Sequence, residues 1–65
     1  MTEVLIPYGT KREARRRAIK ATAWLHRRGD LHIIGIMRTN DPGWAVVVPK
    51  AVADTWHGVF DLLTE

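Results

Sequence analysis

The spacing of apolar residues changes period several times along this chain, and each change marks an element. Val4-Leu5-Ile6 is an aliphatic, β-branched run ended by Pro7, with Tyr8-Gly9 as turn residues, which predicts a strand over residues 1–6. After it, Ala14, Ala18, Ala21 and Leu25 fall in one narrow sector at about 100° per residue, the period of a helix with a single buried face. The start of that helix is marked by Thr10-Lys11-Arg12-Glu13, a capping-box pattern in which threonine and glutamate satisfy each other's backbone N–H groups. Its end is marked by Arg27 and Arg28, favoured at the negative pole of the helix, and by Gly29, which can take a left-handed conformation. The helix is expected over residues 11–28.

Residues 31–38 (LHIIGIMR) and 44–48 (WAVVV) are rich in β-branched side chains, and Asn40-Asp41-Pro42-Gly43 between them is turn chemistry, so they predict a hairpin. Pro49 ends its second strand. Val52, Trp56, Val59, Phe60 and Leu63 then return to helical spacing and predict one helix over residues 50–64. The expected fold is a single small α+β domain over residues 1–65, in the order β-α-β-β-α, with helices packed on a small sheet. Both faces of the hairpin are apolar: Leu31, Ile33 and Met37 point one way, Ile34 and Ile36 the other. If both helices pack on one side, the second face stays uncovered, and a homodimer that closes it is the expected remedy. A helix on each face is the alternative.

Size sharpens that expectation. A chain of 65 residues buries only about 60% of its unfolded surface, and domains this small often draw on disulfides, metals or oligomerisation. Cysteine is absent, which removes disulfides, thiolate metal sites and thiol nucleophiles. No stretch approaches the roughly 18 apolar residues of a membrane span, so a cytoplasmic protein without a membrane partner is expected.

The net charge of +3 conceals a strong asymmetry. Residues 1–28 hold Lys11, Arg12, Arg15, Arg16, Arg17, Lys20, Arg27 and Arg28 against Glu3 and Glu13; residues 29–65 hold Arg38 and Lys50 against Asp30, Asp41, Asp54, Asp61 and Glu65. On the first helix, Arg12, Arg16, Lys20 and Arg27 form a stripe opposite the alanine face, flanked by Arg15 and Arg28. A line of cations suits a polyanion whose phosphates repeat along a line, and the arginine fork donates two parallel hydrogen bonds to phosphate oxygens. A surface helix kept only for solubility usually interleaves acids four residues away, whereas this one carries Glu13 alone. The expected function is therefore a small, non-enzymatic nucleic-acid-binding protein, on DNA or RNA, with Arg12, Arg15, Arg16, Lys20, Arg27 and Arg28 on the phosphate backbone. The alternative from another class is a protein-binding module, an inhibitor or accessory subunit, that docks on a partner protein through the basic helix or an apolar sheet face.

Other candidate chemistry is sparser. Trp44 has the type for stacking on a base, though core packing explains it as well, and Trp56 lies within an apolar stripe. His26, His32 and His57, with Asp30 and Asp54, lack the spacing of a metal site. His32 or His57 as a proton shuttle beside the arginines defines a minor reading as a ribonuclease-type toxin. The glycines stand singly, so no phosphate-cradling loop and no cofactor is expected. Two helices separated by a hairpin exclude a helix-turn-helix.

Overall fold

A computed structural model of the chain describes residues 3–40 and 43–64. Its elements are β1 (Glu3–Tyr8), α1 (Lys11–His26), β2 (Gly35–Arg38), β3 (Trp44–Pro49), α2 (Lys50–Thr55) and α3 (Gly58–Thr64). The α+β class holds, and the last helix is divided in two. The strands form one antiparallel sheet in the order β1-β3-β2, with Ile6 opposite Val46 and Val46 opposite Ile36. Of the turn expected at residues 40–43, Asp41 and Pro42 lie outside the described residues.

The start of α1 follows from its sequence in part. Thr10 is extended and its hydroxyl accepts the Glu13 N–H at 3.2 Å. The Glu13 carboxylate turns along the helix instead of back to Thr10, and accepts from Arg16 at 3.2 Å and Arg17 at 2.9 Å. A guanidinium is a stronger partner for a carboxylate than a backbone N–H, so only half of the capping box forms. At the other end the helix stops at His26, two residues before residue 28, because the Leu25 carbonyl accepts the N–H groups of Arg28 and Asp30 at 2.9 and 3.0 Å. That closure requires the left-handed Gly29, at φ +83°.

β1 extends beyond the expected stop, through Pro7 to Tyr8. Proline is tolerated on an edge strand, and continuation brings the Tyr8 hydroxyl to donate to the Leu63 carbonyl. β2 begins only at Gly35, four residues after the expected start. On the register that sets Gly35 opposite Val47, Ile33 would face Pro49, which has no N–H and leads into α2. The Ile34 N–H goes instead to the Thr22 hydroxyl at 3.0 Å.

The helix expected over residues 50–64 breaks at Trp56, whose backbone leaves the helical region (φ −121°, ψ 74°) while its indole N–H reaches Asp30 Oδ2 at 2.7 Å. Gly58 restarts the chain as α3; a Cβ there would come within 3.1 Å of the Trp24 ring, so the glycine also permits close packing on α1. Ala14, Ala18, Ala21 and Leu25 of α1 are buried, as their periodicity predicts, with Val52, Ala53, Val59 and Leu63 from α2 and α3. They pack with Ile34, Val46 and Val48, and with the half-buried Val4, Ile6, Tyr8 and Ile36. All the helices thus share one side of the sheet. The opposite side carries Leu5, Pro7, Gly35, Met37, Ala45 and Val47, with Leu5 and Met37 exposed.

Candidate functional site

The side chains of α1 that point away from the alanine face divide into distinct groups. Lys11, Arg12, Arg15, Arg16 and Ile19 border a shallow depression of about 480 Å³ on the first turns of the helix. Lys11, Arg15 and Ile19 are spaced by four, as are Arg12 and Arg16, so the side chains of each row lie side by side. Arg16 pairs with Glu13 at 3.2 Å, yet its side chain remains 70% exposed. Arg12 and Arg15 are exposed and meet no carboxylate or hydrogen-bond acceptor among the described residues. The helix dipole adds positive potential at this end.

Arg17 belongs to a different environment. Its side chain is only 17% exposed, pairs with Glu13 at 2.9 Å and donates to the Leu62 carbonyl of α3 at 3.1 Å. The hydrogen bonds from Arg17 and Arg16 hold the Glu13 carboxyl below its ordinary range. Lys20 is exposed on the outer side of α1, and Arg27 is exposed at the C-cap. Arg28 folds back: its guanidinium lies 3.6 Å from the Trp24 ring centroid and donates to the Trp24 carbonyl at 3.1 Å. The structure therefore gathers Arg12, Arg15 and Arg16 at one end of α1, with Arg27 and Arg28 beyond the other.

Lys11 joins the first group, although it lies outside the stripe of Arg12, Arg16, Lys20 and Arg27. The signal was present in the row Lys11, Arg15, Ile19, spaced by four. Its ammonium lies 5.0 Å from the Trp44 ring centroid and also borders a second depression of about 410 Å³, lined by Thr10, Arg38, Thr39, Asn40 and Trp44. Positive surface thus continues from α1 onto the end of β2. Trp44 is half-buried beneath Lys11, against the core.

The second polar cluster centres on Asp30. One carboxylate oxygen accepts the His32 backbone N–H at 2.9 Å and the His32 Nδ1 at 2.5 Å, and the other accepts the Trp56 indole N–H. These bonds, led by the His32 backbone N–H, lower the Asp30 pKa. An ionised carboxylate only accepts, so Nδ1 carries the proton in this pair. Trp56 meets Trp24 edge to face at 5.9 Å. The cluster fastens the turn after α1 to the elbow between α2 and α3. It also accounts for Trp56, which is half-buried at the margin of the core rather than enclosed by it. His57 is exposed on that elbow, His26 is exposed on α1, and Asp54 lies 3.8 Å from Lys50. Among the described residues no three His, Asp or Glu side chains are grouped to hold a metal, and no helix is long and apolar enough to cross a membrane.

Comparisons with protein families, curated proteins and solved structures find no match to this chain.

Proposed function

We propose that this chain binds the phosphate backbone of a nucleic acid through the first turns of α1, with Lys11, Arg12, Arg15 and Arg16 as the central contacts. Lys20, Arg27 and Arg28 extend the track toward the other end of the helix. The supporting observation is that Arg12 and Arg15 are exposed without an anionic partner among the described residues, beside two further cations around one depression. Uncompensated like charges on one helix face destabilise it, and an external polyanion relieves the repulsion. Recognition is electrostatic and independent of base sequence, since phosphate contacts position without reading bases. The chain acts as a binding protein rather than an enzyme.

The double substitution Arg12→Gln with Arg15→Gln tests this reading. Both side chains are exposed, so folding is retained, and the slope of log affinity against log salt on duplex DNA becomes shallower by about 1.8. An unchanged slope and affinity would overturn the proposal. Ile19 between the cations favours a second reading, in which the same face docks on an acidic protein. That reading predicts no retention of duplex DNA, single-stranded DNA or RNA at physiological salt.

A further inference from the structure

An open depression of about 610 Å³ lies beyond the C-terminal end of α1, bordered by Arg28, Asp30, Leu31, His32 and Trp56. Of these residues only Arg28 has a place on the phosphate track. His32 stands in the depression with its ring fixed. Its Nδ1 donates to Asp30 Oδ1 at 2.5 Å, and the same carboxylate accepts the His32 backbone N–H at 2.9 Å and the Trp56 indole N–H at 2.7 Å. The Asp30 side chain is only 14% exposed and that of His32 is 50% exposed, so the ring, and not the carboxylate, faces outward.

With the Nδ1 proton committed to Asp30, Nε2 of the neutral ring is a bare acceptor, and it meets no donor among the described residues. Closing the turn after α1 does not require this ring, because the backbone N–H that Asp30 accepts would come from most residues at position 32. Arg28 is held in place as well. The Trp24 ring and carbonyl fix its guanidinium at 3.6 and 3.1 Å, and its remaining N–H groups have no partner among the described residues. Leu31, 78% exposed, adds apolar surface beside these two polar groups.

We propose that this depression takes the ribose of an RNA strand, whose 2′-hydroxyl donates to His32 Nε2 while the adjoining phosphate meets Arg28. Leu31 covers the sugar carbons. The assignment rests on the phosphate track along α1 and adds to it the polymer, RNA in preference to DNA. Deoxyribose has no donor at the 2′ position, so on DNA the Nε2 lone pair is desolvated without gaining a partner, whereas the phosphates are the same in both polymers. The Asp30 charge is covered by its three donors and presents little repulsion to the strand.

Oligouridine, oligodeoxyuridine and 2′-O-methyl oligouridine of equal length differ only at the 2′ position, and their affinities for the full chain are compared by fluorescence anisotropy in a salt titration. Oligouridine is expected to bind roughly three- to tenfold tighter than oligodeoxyuridine. The methylated strand binds no tighter than the deoxy strand, since an ether oxygen cannot donate. His32→Ala weakens oligouridine alone and erases the difference; it keeps the backbone N–H to Asp30, so the far-ultraviolet circular dichroism is unchanged. Equal, salt-sensitive affinities for oligouridine and oligodeoxyuridine overturn the ribose site and leave the phosphate track standing. A methylated strand that binds as tightly as oligouridine, or an RNA preference that survives His32→Ala, also overturns the ribose site, because the preference then comes from the shape of the strand. Absence of binding to all three at low salt overturns the track and the ribose site together.

Discussion

Arg17→Gln separates the arginine that holds the fold from those that face outward. Arg17 is largely buried and donates to the Leu62 carbonyl at 3.1 Å, so its removal leaves that acceptor poorly satisfied and also breaks the pair with Glu13. A hydrogen bond from a charged donor is worth about 1.5–3 kcal/mol, and glutamine is too short to replace it, which sets the expected loss at about 2 kcal/mol. A domain of this size has about 3–10 kcal/mol of total stability. For a domain of 60–100 residues each kcal/mol moves the Tm by about 4–8 °C, so Arg17→Gln is expected to melt roughly 8–16 °C below the parent. Arg15→Gln, two residues away and exposed, changes stability by less than about 0.5 kcal/mol. Thermal melts followed by far-ultraviolet circular dichroism read both. The division fails if Arg17→Gln melts with the parent, or if Arg15→Gln melts as low as Arg17→Gln.

Leu25 is fully buried between α1 and the sheet, and Leu25→Ala is expected to remove about 3–5 kcal/mol, seen as a largely unfolded population in urea titration. Gly43→Ala places a Cβ 2.8 Å from the Tyr8 carbonyl oxygen at φ +152°, so it lowers the Tm, whereas Gly9→Ala meets open space and does so far less. Asp30 and Glu13 both have depressed pKa values in the folded chain, so their contribution is present above the unfolded value of about 4 and is lost as pH falls through the lower folded one. Urea midpoints are therefore expected to fall as the medium is acidified below about pH 4, and Asp30→Asn flattens that fall while lowering stability at neutral pH; an equally steep fall in the variant would show that Asp30 is not among the groups responsible.

Local signals carried much of this fold. The alanine face of α1, its Thr10 start and its Gly29 stop depend on residues within one or two turns, and the hairpin follows from β-branched runs around turn residues. What the sequence concealed depends on contacts across the chain. Residues 31–34 look like strand, but pairing needs a partner, and Pro49 withdraws it. Residues 50–64 keep helical period through Trp56, yet the indole is drawn to Asp30, twenty-six positions away, and Gly58 packs on Trp24. The basic face was legible as a stripe, while its division was not: Arg17 and Arg28 are drawn to the Leu62 carbonyl and the Trp24 ring, and Lys11 enters the cluster from the first residue of the helix.

The claim that α1 holds a phosphate backbone is tested most directly by the salt dependence of the unmodified chain on duplex DNA. The four central contacts alone predict a log–log slope near −3.6, which is a loss of about 150-fold in affinity between about 50 and 200 mM salt, with a slope near −2.8 on a single strand, and each further contact from Lys20, Arg27 or Arg28 steepens the duplex slope by about 0.9. Absence of binding at the low-salt end, or an affinity that stays level across the titration, would contradict it.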